Sequence, residues 1–413
     1  MAASRGVAVA ATSPGKAKRI ALLAAGIGAV GATAARSETT LDLKVLGYQE
    51  NDGRTRVIDP VLYYDQDFGE KGRLGILAAF DSISGASPTG QAPALNTTTS
   101  ASGGTVTSGE FPKASYRDTR TALALSYGRR SGSHVPTVSL SYSKEADYLS
   151  QGVSLVDAWD FAGGRSTLHF GGGVNWDRIE PTINNAVLDK RGVSLSLGLT
   201  RVLGVRDLLD LSLGREILKG YLTDPYKVVS VGTSVLNEVR PSDRARWSLV
   251  ARHGHYFSWR GALKTSYRYY WDDWRIRAHT LELTYDQRIG QRWILTPRLR
   301  YYTQGAASFF AYDFPSARPA MSADYRLSSF WSWLGGVGVS CELNRGFGLN
   351  LALAYERQTG LDRLHPPPVV RPPIAGRRAL TEEAGEDGSG GSGGLSAADM
   401  KVFTATAGFT LKF

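Results

Sequence analysis

The chain reads as an all-β, membrane-spanning antiparallel barrel of about 16 strands, within limits of 14 to 18. Three observations predict this. Apolar and polar residues alternate over segments of 10–13 residues throughout the chain. The N-terminus has the form of an export signal. The last strand ends on an aromatic residue, Phe413.

Composition agrees. The 413 residues include 47 Gly, 19 Tyr and 9 Trp, with only 21% charged. Half of each barrel strand faces lipid and half faces water, which yields this mildly polar average. A single Cys excludes an internal disulfide and a Cys-based zinc site. The apolar content excludes disorder throughout. No segment after the leader holds the ~18 uninterrupted apolar residues of a spanning helix.

Residues 1–35 read as a signal peptide. The basic stretch ending Lys16-Ala17-Lys18-Arg19 precedes the apolar run Ile20 to Ala32, then Thr33-Ala34-Ala35. The run is shorter than the roughly 20 residues of a membrane anchor, and no Cys follows it to take a lipid. Cleavage there removes Arg5, Lys16, Lys18, Arg19 and no acid, so the net charge falls by four, from +10 to +6. The remaining cations form no basic run, and nucleic acid is not an expected partner. Residues 36–413 are expected to form the barrel.

The strands follow from period-two alternation, since successive side chains point to opposite faces. In 347–357, Phe347, Leu349, Leu351, Leu353 and Tyr355 oppose Gly348, Asn350, Ala352 and Ala354. Val193, Leu195, Leu197 and Leu199 oppose Ser194, Ser196 and Gly198. A helical period would scatter these residues around the axis. The same rule places strands at 40–49, 56–66, 73–83, 117–128, 135–146, 149–161, 165–177, 191–203, 206–217, 244–254, 260–271, 274–286, 292–304, 328–341, 347–357 and 400–413. Segment 227–238 reads as loop. The polar wall is small or charged, and little covering helix is present, which favours a closed barrel in lipid over a soluble sandwich. Tyr63-Tyr64, Tyr269-Tyr270-Trp271, Tyr301-Tyr302, Trp331 and Trp333 suit its interfacial girdles.

If the first strand runs outward, the short connections fall on the periplasmic side. The long connections 84–116, 178–190, 218–243, 305–327 and 358–399 then fall outside. The last, with its Pro and Gly-Ser-rich stretches, is expected to be disordered.

The final strand presents Phe403, Ala405, Ala407, Phe409, Leu411 and Phe413 on one face. Gly408, Phe409, Leu411 and Phe413 resemble the terminal signal read by the outer-membrane barrel assembly machinery, although Ala407 stands where a polar residue is common. The segments 81–88, Tyr267 to Trp274, Arg300 to Gln304 and Ser322 to Ser328 resemble an uncharacterised family of Gram-negative outer-membrane barrels that carries only a domain-of-unknown-function label. That resemblance implies fold and location, and periplasmic redox proteins as partners. It implies no activity. Separately, Arg275 and Arg277 share the outward parity of Leu281, Leu283 and Tyr285, which places them either against lipopolysaccharide phosphates above the lipid or, with a bulge, inward.

Inward parity places Arg246, Arg252, Lys264, Arg268, Arg298 and Arg300 on one side of the lumen, and Asp59, Asp65, Asp81 and Glu145 on the other. Two outcomes are open: a transverse field across a pore, or local pairing that packs the lumen. Asp210 and Glu216 join the acidic set from later strands, while Glu282, Asp286 and Glu356 also point inward and interrupt the segregation. Asp272-Asp273 with His279 is a candidate acid–base set against a polar hairpin tip. His253 and His255 make a two-ligand pair, weak as a metal site. His169 faces the lumen with no assignable partner for a triad. Cys341 points outward and is expected to be inert. No catalytic residue, metal or cofactor is assigned. The expected function is porin-like passage of small polar or charged solutes. The alternatives are a docking barrel of an envelope redox complex and an outer-membrane hydrolase.

Overall fold

The structure, a computed structural model, describes residues 38–93, 96–99, 105–364 and 394–413. The expected signal peptide, 1–35, and the Pro- and Gly-rich residues 365–393 lie outside the described residues. Sixteen antiparallel strands close into one barrel. In chain order they are β1 (Thr39–Glu50), β2 (Thr55–Asp67), β3 (Arg73–Pro88), β6 (Lys113–Gly128), β7 (His134–Lys144), β8 (Tyr148–Phe161), β9 (Ser166–Ile179), β10 (Leu188–Val202), β11 (Asp207–Gly220), β14 (Asp243–Phe257), β15 (Gly261–Asp272), β16 (Arg277–Ile289), β17 (Trp293–Gln304), β18 (Phe330–Asn344), β19 (Phe347–Gly360) and β20 (Met400–Lys412). Two four-residue ribbons lie in loops outside the ring: β4 (Asn96–Thr99) with β5 (Thr105–Ser108), and β12 (Val228–Val231) with β13 (Ser234–Asn237).

β1 closes the ring by pairing with β20, from Thr40 opposite Lys412 to Glu50 opposite Val402. Closure satisfies every strand's backbone donors and acceptors, which is the condition for crossing hydrocarbon. The outward face is apolar and accessible, as at Leu155, Leu195, Leu197, Leu351 and Leu353. In the absence of lipid, exposed Leu on this face marks the membrane wall rather than a defect of packing.

The ends of the barrel differ. One end carries the start of β1, the end of β20 and short turns, such as 203–206 and 290–292. The other carries the connections 89–112, 221–242, 305–329 and 361–399. Several strands run beyond the alternating segments at this loop end: β3 reaches Pro88, β6 starts at Lys113 and β19 reaches Gly360. Above the lipid belt the outward side no longer needs to be apolar. Backbone pairing therefore continues where the sequence pattern stops. Segment 227–238, which reads as loop, folds as the β12–β13 ribbon and stays outside the ring. The flanks of the 358–399 connection are ordered, with Ala397 and Ala398 buried.

The aromatic runs divide between faces. Trp176, Tyr301, Trp333 and Phe403 face outward near the loop end, and Trp159 and Trp293 near the turn end. Their alternate neighbours turn inward. The Tyr63 hydroxyl donates to Asp65 at 2.8 Å, Tyr270 to Asp272 at 2.7 Å and Tyr302 to Gln304 at 2.6 Å. Only half of each run serves a girdle.

Candidate functional site: the lumen wall and the layer across its mouth

Strand register sets the lumen chemistry. Antiparallel pairing puts Asp210 directly opposite Arg252 and Glu216 directly opposite Arg246. Their ion pairs measure 2.5 and 3.1 Å. Lys264 reaches Asp286 at 2.5 Å and Arg298 reaches Glu282 at 2.7 Å, each on the neighbouring strand. Arg300 crosses β18 to Glu356 on β19, at 2.7 Å. On the opposite wall Asp65 accepts from Arg73 at 2.7 Å, and Asp81 accepts from Arg120 through Nε at 2.6 Å. Arg268 lies over the Tyr270 ring, 5.4 Å from its centroid. Asp59 is buried. Wherever these ion pairs form, opposite charges meet one or two strands apart, so the wall alternates sign locally there.

Glu145 converges with Asp118 and Asp147, their carboxylate oxygens within 4.8 Å of one another. The Tyr226 hydroxyl donates to Asp147. An acidic trio of this kind does not by itself define a metal site.

At the hairpin tip the two carboxylates and His279 take different partners. Asp272 accepts from Arg244 Nε at 2.9 Å, from the Tyr270 hydroxyl and from the Ile276 amide at 2.9 Å. Asp273 accepts from the Ala245 amide at 2.9 Å. Both carboxylates hold the hairpin tip together. His279 points to the outer face, where it meets the Tyr267 hydroxyl at 2.7 Å. His253 and His255 share Asp207, at 3.1 and 2.7 Å. His169 faces the lumen 3.4 Å from Thr200 Oγ1. Cys341 is buried, opposite Trp293 and Leu349.

The loop end holds what parity could not reveal. Four connections meet across the mouth. β3 and β11 are third and ninth in a ring of sixteen, well separated around it, yet their loops touch. The Val228 amide donates to Thr89 O at 3.0 Å, and Lys227 Nζ donates to Ser87 Oγ at 2.9 Å. Gly90 makes this approach possible: at φ +97° a Cβ would lie 2.2 Å from Val228 O. The 305–329 connection packs on the same ribbon through Phe314 N to Ser230 O, 3.0 Å, and Met321 N to Val239 O, 2.8 Å. The 394–399 flank joins through Tyr312, whose hydroxyl lies 3.0 Å from Ser396 Oγ.

This layer has its own apolar core. Val229, Phe314, Met321 and Ala323 form one cluster. Tyr312, Tyr325, Phe330, Ala397 and Ala398 form a second, and Trp274, Ile276, Ala307, Phe309 and Leu327 a third. Between them lies a buried charge network. Arg326 Nε donates to both oxygens of Asp324 at 2.8 Å, and Arg240 Nη2 donates to Asp324 at 2.9 Å. Arg240 also pairs with Glu238 at 2.5 Å, and Arg326 with Asp224 at 3.2 Å. Burial would raise the Asp324 carboxyl, but Arg326, with Lys227 and Arg240 behind it, holds it far below the usual range. At Glu238 burial wins: with the nearby Asp324 and Asp224 it outweighs Arg240 and raises the carboxyl. Burial lowers the Lys227 ammonium.

No curated protein matches the chain. Solved structures similar to it are outer-membrane proteins. CymD, described as a monoaromatic hydrocarbon channel, is 12% identical, with a TM-score of 0.42 over 92% of this chain and 89% of that one. OpdK of Pseudomonas aeruginosa is 9% identical, with a TM-score of 0.42 over 92% and 99%. A bacterial polysaccharide outer-membrane secretin is 9% identical, with a TM-score of 0.46 over 90% and 98%. The model of a family described as protein of unknown function (DUF3570) matches residues 17–365, well over half of the chain, and the chain belongs to that family.

Proposed function

We propose that the protein is an integral outer-membrane channel for small polar or charged solutes, with entry at the loop end controlled by the layer across the mouth. The observation that carries this reading is a closed ring of sixteen strands with a polar, charge-paired inner wall. Barrels of about this strand number can leave an aqueous channel. The ion pairs Arg252–Asp210 and Arg298–Glu282 are partly exposed on the inner wall, as a hydrated path would leave them.

The test is conductance of the purified protein in planar bilayers. Discrete current steps are expected, and a barrel that stays silent with its loop layer disrupted removes the channel reading. Selectivity follows from the local pairing. Arg252→Glu beside Asp210 and Arg298→Glu beside Glu282 turn two balanced pairs into double negatives. In a salt gradient the reversal potential of this double variant is expected to move toward cation selectivity. An unchanged potential would mean that ions do not pass these side chains.

A further inference from the structure

The lipid-facing wall carries a built groove where the ring closes. It has a volume of about 860 Å³ and spans β2, β1, β20, β19 and β18. Its floor is made of small residues, Gly47 and Ala405, which are register partners across the closing seam. Ile58 flanks one side, and Leu353, Tyr355 and Phe403 the other. The Tyr355 and Phe403 rings pack 5.0 Å apart.

Three cations sit at its loop-end rim. Arg56 lines the groove opposite Gln49, in the same row as Phe403. Arg357 and Lys401 are register partners one outward position above Tyr355 and Phe403. All three are exposed. No acidic partner is found for any of them among the described residues. The inward cations Arg246, Arg252, Lys264, Arg298 and Arg300 all have one. These cations lie at the loop-end edge of the apolar wall, at the level where anionic lipid headgroups would complement them.

We propose that this groove binds one phosphorylated glycolipid of the outer leaflet, with an acyl chain in the groove and its phosphates on Arg56, Arg357 and Lys401. A phosphate accepts several charge-assisted hydrogen bonds from guanidinium and ammonium groups. A small-residue floor between bulky walls gives one chain more van der Waals contact than a flat wall would, and packing of this kind is what drives association within hydrocarbon. The chemistry separates this lipid from zwitterionic ones, which offer no net charge to three cations. The site depends on the transmembrane reading but not on conduction, so its failure and that of the channel are read by different measurements.

The experiment is native mass spectrometry of the full-length protein from detergent. It is first exchanged into phosphatidylethanolamine vesicles containing either bisphosphorylated lipid A or phosphatidylglycerol at equal mole fraction. One retained lipid A is expected. Combined Arg56→Glu, Arg357→Glu and Lys401→Glu should lower its retention on the order of tenfold or more. A second variant fills the groove without touching charge. A Cβ at Gly47 would meet only Ala405 O at 3.9 Å, and one at Gly335 only Trp333 at 3.7 Å, so Gly47→Leu with Gly335→Leu leaves the backbone undisturbed. It too should lower retention, with heat-modifiable mobility on gels unchanged. Equal retention of phosphatidylglycerol, or wild-type retention by the filled variant, overturns the proposal.

Discussion

Asp324→Asn is expected to open the mouth while leaving the barrel intact. Asp324 is 2% exposed and is the shared acceptor of Arg326 and Arg240. The amide keeps the shape but removes the charge between two buried guanidiniums. Breaking one side of a buried ion pair typically costs about 3–5 kcal/mol, because the remaining charge stays desolvated. That cost falls on a layer whose clusters are small, so the layer should loosen locally, as weakly held units do. Larger or more frequent conductance steps are expected, with faster proteolysis of 221–242 and 305–329 and unchanged heat-modifiable mobility. Protease resistance equal to wild type would show that the network does not hold the layer.

The pH dependence has two limbs of opposite sign. Glu238 has a raised folded-state value, so its contribution to the layer is present at low pH and is lost as pH rises through that value. Asp324 has a depressed one, so its contribution is present above the usual carboxylate range near ~4 and is lost as pH falls through the folded value. Mild acidification should therefore tighten the layer and strong acidification should loosen it. In single-channel traces, open probability is expected to fall and then rise as pH drops. Glu238→Gln should remove the first limb and keep the second. A profile that the variant leaves unaltered would exclude Glu238 from the control.

The barrel was legible in the sequence because lipid imposes a strict rule on every second residue. Leu195, Leu197 and Leu199 declare their face without any neighbour's help. Strand ends were less legible, since above the lipid the outward position can be Arg56 or Lys401 as readily as Leu. Facing was readable for Asp210 and Arg252, but their pairing was not. Parity tells which wall a charge is on, whereas register tells whom it meets. The layer across the mouth was missed because its contacts join distant residues, such as Val229 with Phe314 and Lys227 with Pro88. One signal was available. The connection 305–327 contains Phe309-Phe310, Tyr312, Phe314 and Leu327, too much apolar surface for a solvated loop. Asp272-Asp273 stayed ambiguous for the opposite reason. Paired carboxylates look the same in sequence whether they await a proton or, as here, bind Arg244 and backbone amides.

Gly408→Leu is expected to abolish the closed barrel, and it separates closure from recognition at the C-terminal strand. A Cβ at Gly408 would lie 2.5 Å from Leu43 O and 2.7 Å from Lys44 Cγ. The oxygen belongs to the backbone of β1 and cannot swing away. β20 would have to part from β1, leaving two strand edges unpaired in hydrocarbon, where each unsatisfied group costs several kcal/mol. Ala407→Leu, one residue earlier and facing lipid, is the control that should be tolerated. Phe413 differs in kind. Its backbone completes the seam, accepting from Thr39 N at 2.8 Å and donating to Thr39 O at 3.0 Å, while the residue as a whole is 74% exposed. Phe413→Ser keeps both hydrogen bonds. If the terminal aromatic is an address read by the assembly machinery, Phe413→Ser should fail to assemble in cells yet refold in detergent with compact mobility. Gly408→Leu should fail in both. A compact Gly408→Leu barrel would remove the steric argument, and normal cellular assembly of Phe413→Ser would remove the address.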